Sequence, residues 1–314
     1  MDEALPRILI TGKDGQVGHA LQAALAPLGQ LIAADRRQLD LSQTGRLSQA
    51  LDRIRPDIIV NPAAYTAVDK AESEPELAFQ VNAEAPGELA RWAASHDALM
   101  VHYSTDYVFS GQGNQPWRED DAPDPQSVYG RSKWQGERNV RAAGGRHLIL
   151  RTSWVFGAHG ANFLKTMLRL AAERDSLNVV DDQIGAPTSA LLIADCTARL
   201  LSRYLDAPDA FACGTYHLAA QGETSWHGYA RYLLSRAQAL GLDLKLAPDA
   251  IQGIPSCDYP TPARRPANSR LDCGKLKQTF DLELPSWQAG IDPALAELAR
   301  AMPRRHTEDG KGQP

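Results

Sequence analysis

The chain has 314 residues, of which 43% are hydrophobic, and carries a formal net charge of -5, enough apolar material for a nucleotide-binding domain with a smaller companion. The acidic balance and the absence of a basic stripe argue against a nucleic-acid partner. No run of ~20 apolar residues offers a bilayer span, and the opening Met1-Asp-Glu-Ala-Leu-Pro-Arg7 lacks a leader pattern, so a cytoplasmic protein is expected.

In chain order, Arg7 to Thr11 reads as a short buried strand that runs into Gly12-Lys-Asp-Gly15-Gln16-Val17-Gly18 and an apolar helix. That pattern predicts a phosphate-binding turn: Gly12 for the tight turn, Gly15 for backbone approach to a pyrophosphate, Gly18 for close helix packing. A second strand, Leu31 to Ala34, ends at Asp35, where a carboxylate would meet the adenosine ribose hydroxyls. Arg36 and Arg37 follow and would instead neutralise a 2′-phosphate, so the two signals conflict over NADH and NADPH. The third strand is Asp57 to Asn61, and the fourth, Leu99 to Ser104, delivers Thr105 and Asp106 to the carboxyl end of the sheet.

Ser110 to Ser127, rich in Gly, Pro and acid, reads as a surface loop near the crevice. After it, Val128-Tyr129-Gly-Arg-Ser-Lys133 sets a tyrosine and a lysine four residues apart, on one face of a helix. An ammonium a few Å from the phenol would lower its pKa by roughly 1 to 3 units, toward the range useful for proton transfer. His147 to Thr152 is the fifth strand; beyond it Leu164 to Ala172 and Trp226 to Leu240 read as helices, and Gly185 to Ser189 and Ser256 to Asn268 as Pro-rich loops. The alternation predicts an α/β fold, a Rossmann-type doubly wound parallel sheet with a smaller mixed α/β substrate-binding domain. Residues 1–155 would mainly bind the dinucleotide and 156–302 mainly the sugar nucleotide, with some chain exchanged between them; 303–314 would be a disordered tail. Cys196, Cys213, Cys257 and Cys273 are scattered without Cys-x-x-Cys spacing and suggest neither a metal site nor a disulfide frame.

The glycine turn, Tyr103-Ser-Thr-Asp-Tyr-Val-Phe109 and Tyr129-x-x-x-Lys133 together resemble the extended short-chain dehydrogenase/reductase family, in its nucleotide-sugar branch. Asn61-Pro-Ala-Ala-Tyr-Thr-Ala-Val-Asp-Lys-Ala-Glu72, Arg151-Thr-Ser-Trp-Val155, Asp182-Gln-Ile-Gly-Ala-Pro-Thr188 and Tyr259-Pro-Thr-Pro-Ala-Arg-Arg-Pro266 narrow the resemblance to the dTDP-4-dehydrorhamnose reductases, from about Arg7 to about Ala301.

The resemblance implies reduction of the C4 ketone of a dTDP-sugar by NADPH or NADH, the last step of dTDP-rhamnose synthesis for surface polysaccharide. Tyr129, Lys133 and Thr105 would be catalytic. Gly12, Gly15, Gln16, Val17, Gly18, Asp35, Arg36, Asp40, Leu41, Ala64, Tyr65 and Thr66 would hold the cofactor together with Tyr129 and Lys133. Thr105, Asp106, Tyr107, Trp154 and Arg265 would hold the sugar nucleotide. A dehydratase of the same fold would carry Asp-Glu after the threonine, whereas Asp106-Tyr107 stands here. An epimerase would share the glycines and the Tyr/Lys pair, and a non-catalytic regulatory subunit would share the fold. Some of these reductases form dimers bridged by a metal on acidic residues. Two matching positions here are Ala20 and Leu191, and only Glu297 remains, so no metal and a monomer or metal-independent dimer are expected.

Overall fold

The computed structural model describes residues 5–301. Its centre is a six-stranded, all-parallel sheet of β1 (Arg7–Thr11), β2 (Gln30–Ala34), β3 (Ile58–Asn61), β4 (Leu99–Thr105), β5 (His147–Thr152) and β6 (Gly214–His217), in the order β6-β5-β4-β3-β1-β2. Successive side chains of a strand point to opposite faces. Accordingly Ile8 and Ile10 join the cluster formed with α1 (Gln16–Leu25) and α6 (Ala190–Asp206), as do Ile58, Val60 and Leu150. Leu9, Ile59, Met100 and Ile149 pack on the other side against α2 (Leu47–Ile54) and α3 (Ala85–Ser95). Covering both faces is what requires the near-continuous apolar strands.

A second lobe packs α5 (Phe163–Glu173), α7 (Trp226–Ala239) and α8 (Ile291–Ala301) around Leu164, Leu168, Tyr229, Leu233, Ile291 and Leu295. Side chains cap the helix starts: Ser127 accepts from Gly130 N at the head of α4 (Val128–Ala142), and Asn162, Ser189 and Ser225 do the same for α5, α6 and α7. Each such cap satisfies an amide that has no partner within the helix.

The sequence reading allowed some chain to be exchanged between the halves but named no strand for it; β6 comes from the second half of the chain and extends the central sheet beside β5. One feature departs from that reading. The segment expected as a loop at Gly185 to Ser189 holds two-residue strands, Ile184–Gly185 paired with Thr224–Ser225 and Thr188–Ser189 paired with Val155–Phe156. Two residues are too few to show an alternation, and their partners lie far off in sequence. The tail expected at 303–314 lies outside the described residues.

Candidate active site

The strand order reverses between β1 and β3, since β2 lies on one side of β1 and β3, β4, β5 follow on the other. In open parallel sheets that reversal opens a crevice at the carboxyl ends of the strands. The glycine turn sits there. Gly12 has φ +59, and a Cβ on it would lie 2.8 Å from the Cβ of Ala63 in the turn after β3. Gly15 N donates to Gly12 O at 3.0 Å, and Gly15 begins α1 with no side-chain cap among the described residues. A Cβ on Gly18 would sit 2.1 Å from Gly12 O, so any side chain there would push α1 off the turn. The geometry matches the tight turn read at Gly12 and the close helix packing read at Gly18. Gln16 accepts from Asn162 Nδ2 at 2.8 Å and ties the turn to the second lobe, while Val17 packs inward.

Asp35 ends β2 as expected, but its carboxylate is already engaged. It pairs with Lys13 at 3.1 Å and accepts from Arg37 N and Gln38 N, and these contacts, Lys13 foremost, hold its pKa below the usual carboxylate value. Arg36 pairs with Asp40 at 3.4 Å, and Asp40 accepts from Ser42 N and Oγ in a local turn. The Leu41 side chain is core, packed with Leu39, Leu47 and Leu51, so only its backbone can face a ligand. Ala64, Tyr65 and Thr66 follow β3; Asn82 anchors them by accepting from Tyr65 N at 2.8 Å and donating to Tyr65 O at 3.0 Å. The Tyr65 phenol donates to Glu74, which raises its pKa, and Thr66 is exposed.

Across the crevice, Thr105 ends β4 in register with Thr152 of β5. Its hydroxyl donates to Asp106 Oδ1 at 3.0 Å and accepts from Tyr107 N at 3.2 Å. Burial pushes Asp106 up to about 6, against hydrogen bonds from Ser269 and Thr105 that lower it. Tyr129, on the first turn of α4, stands edge-on to Tyr107 with ring centroids 5.4 Å apart. Burial raises the Tyr129 phenol well above its ordinary value, and the neighbouring Thr105 hydroxyl pulls it part of the way back.

Here the expectation for the Tyr129–Lys133 pair needs correction. Lys133 is buried, and its ammonium donates to the Tyr103 carbonyl at 2.6 Å. Burial, not the ammonium one helical turn away, governs the neutral phenol, and the shift at Tyr129 is upward. Burial lowers Lys133 to about 8, with Glu137 one turn further along α4 opposing that shift.

Sequence reasoning missed what lies behind this helix. Glu137, fully buried, accepts from Arg151 Nε at 2.9 Å and Nη2 at 2.8 Å, and from Ser104 Oγ at 2.6 Å. These contacts keep the carboxylate ionised and clamp α4 to β4 and β5. Two residues expected to hold the substrate remain, Arg265 and Trp154. Arg265 donates to Asp69 Oδ2 at 2.6 Å and to the Tyr107 hydroxyl at 3.2 Å. Trp154, two residues past Thr152, is half-buried with φ +49 and stacks on Trp226. Asp69 and Lys13 stand inside recognisable sequence motifs, but only the tertiary structure pairs Asp69 with Arg265 and Lys13 with Asp35. Among the described residues no group of three or more His, Cys, Asp or Glu side chains gathers that could hold a metal ion; Ala20 packs beside the core and Leu191 is exposed.

A parallel sheet whose switch point holds a glycine turn, faced by a helix presenting tyrosine and lysine beside a strand-end threonine, defines the short-chain dehydrogenase/reductase class. The family described as RmlD substrate binding domain matches residues 6–300, and the chain belongs to it. It is 50% identical over 295 residues to a dTDP-4-dehydrorhamnose reductase of Escherichia coli K12, covering 93% of this chain and 97% of that one. It is 46% identical to one from Burkholderia thailandensis over 93% and 99% of the two chains. A crystal structure of dTDP-4-dehydrorhamnose reductase from Bacillus anthracis in complex with NADP is similar at TM-score 0.83 and 34% identity, over 93% of this chain and 99% of that one. A UDP-glucose 4-epimerase from Thermotoga maritima shares the fold at TM-score 0.73 and 18% identity.

Proposed function

We propose that this protein reduces the C4 ketone of dTDP-4-dehydro-L-rhamnose to dTDP-L-rhamnose, using NADPH or NADH. The observation that carries this reading is the convergence of Thr105 and Tyr129 opposite a built dinucleotide turn, in a chain half identical to a reductase of that name.

The crevice fits a dinucleotide. Gly12 and Gly18 let the turn close tightly against Ala63 and the head of α1, the amides heading α1 suit a pyrophosphate, and Asp35, Lys13, Arg36 and Arg37 gather near the end of β2, where the adenosine ribose would lie. When bound, the nicotinamide supplies the hydride. The chain's residues then position the ketone and supply a proton. Thr105 fixes the carbonyl oxygen, and Tyr129, kept protonated by burial, transfers its proton to that oxygen as the C=O π bond breaks and the C4–H bond forms. The Lys133 ammonium would stabilise the resulting phenolate and would hold the nicotinamide ribose. Trp154 walls the sugar, and Arg265 takes the diphosphate, whose oxygens a guanidinium meets two at a time.

Incubating the protein with dTDP-4-dehydro-L-rhamnose and NADPH, and identifying the product sugar, tests reaction and substrate together. Release of oxidised cofactor at each turnover separates a reductase from an epimerase or dehydratase, which regenerate theirs.

A further inference from the structure

Trp154 is held in an uncommon backbone conformation, φ +49, which a bulky residue adopts only when its surroundings fix it. Two contacts do so. A Cβ on Gly185 would lie 2.8 Å from Trp154 Cε2, so the glycine leaves the space in which the indole edge rests. Trp226 covers one indole face, with ring centroids 3.7 Å apart and planes 13° from parallel. The two contacts are coupled through the backbone, because Ile184–Gly185 pairs antiparallel with Thr224–Ser225, the residues immediately before Trp226. Trp226 is itself oriented: its Nε1 donates to Gln183 Oε1 at 3.2 Å, Gln183 Nε2 donates to Ser256 Oγ at 2.9 Å, and Phe163 packs against its ring. Ser256 opens the loop that carries Arg265.

From this stack we infer that Trp226 is a positioning residue for sugar recognition: it supports one face of Trp154 and aims the other at the hexose. The inference rests on the reading of Trp154 as the sugar wall. Trp226 lies in the second lobe and Trp154 at the end of the central sheet, so the stack also fixes how the two halves of the substrate site meet.

The test compares Trp226→Ala, Trp226→Phe and Trp154→Ala by equilibrium binding of dTDP-L-rhamnose and of NADPH, with circular dichroism as a structural readout. Stacked indoles give an exciton couplet, expected in the unaltered protein and lost in all three variants. Trp226→Ala is expected to weaken sugar-nucleotide binding roughly three- to tenfold, the range of an aromatic pair, while the NADPH dissociation constant stays within twofold. Trp226→Phe should restore most of the loss. If Trp154→Ala weakens sugar-nucleotide binding and Trp226→Ala does not, or if Trp226→Ala weakens NADPH equally, the positioning role is overturned. If Trp154→Ala itself leaves binding unchanged, the sugar-wall reading fails instead.

Discussion

At Tyr129 the proposed chemistry depends on one proton. Tyr129→Phe keeps the ring that packs against Tyr107 and removes only the donor. A fall in kcat on the order of 100-fold or more, with NADPH affinity nearly intact, is expected for loss of a general acid; near-normal turnover would remove Tyr129 from that role. Lys133 makes the second residue-scale prediction. Burial lowers it to about 8 from an unperturbed 10.5, so the folded chain binds this proton less tightly than the unfolded chain. The buried ammonium therefore costs stability below about pH 8, and that cost fades as pH rises from about 8 through 10.5. Activity has the opposite dependence, because the phenolate left on Tyr129 needs the charged amine: kcat/KM should fall as pH rises past about 8. A profile flat to pH 10 would contradict this. At the adenosine end, Lys13 already pairs with Asp35, and Arg36 is held by Asp40. Alanine at both Arg36 and Arg37 should raise KM for NADPH and spare NADH; an equal effect on both would place these arginines away from the 2′-phosphate.

Among the elements, α4 carries the candidate acid and is held by charge as well as packing. Glu137→Gln would leave Arg151, which is 1% exposed, without its buried counter-charge. Destabilisation of about 3–5 kcal/mol is expected, as for other broken buried pairs, and is measured by denaturant unfolding; a loss under about 1 kcal/mol, the worth of an exposed pair, would show that Arg151 finds another partner. The elements also show what the sequence made legible. The five strands of the first half were readable because each is a compact apolar run between turn signals, and two of them, Arg7–Thr11 and His147–Thr152, have the bounds read from the residues. Strand β6 was not, since four residues Gly-Thr-Tyr-His carry no such run and take their place only by pairing with β5. The glycine turn and the strand-end threonine are local patterns and were visible. The Asp69–Arg265 and Glu137–Arg151 pairs and the Trp154–Trp226 stack join residues far apart in sequence, so no spacing announces them. The direction of the Tyr129 shift was misjudged for a related reason: the helix period fixes where Lys133 points but not the burial that governs the phenol.

For the whole molecule, the face that would carry a shared metal holds Ala20 against the core and an exposed Leu191. We therefore expect sedimentation and activity to be unchanged by EDTA; a dimer that dissociates on chelation, with activity restored by magnesium, would show that other ligands serve. Among the described residues no helix is long and apolar enough to cross a membrane. The central claim joins cofactor, acid and sugar in one crevice, and product analysis addresses it most directly. With dTDP-4-dehydro-L-rhamnose and NADPH, the purified protein should form dTDP-L-rhamnose and one equivalent of NADP+ per turnover. Recovery of unreduced 4-keto sugar, or sugar conversion without net cofactor oxidation, would contradict it.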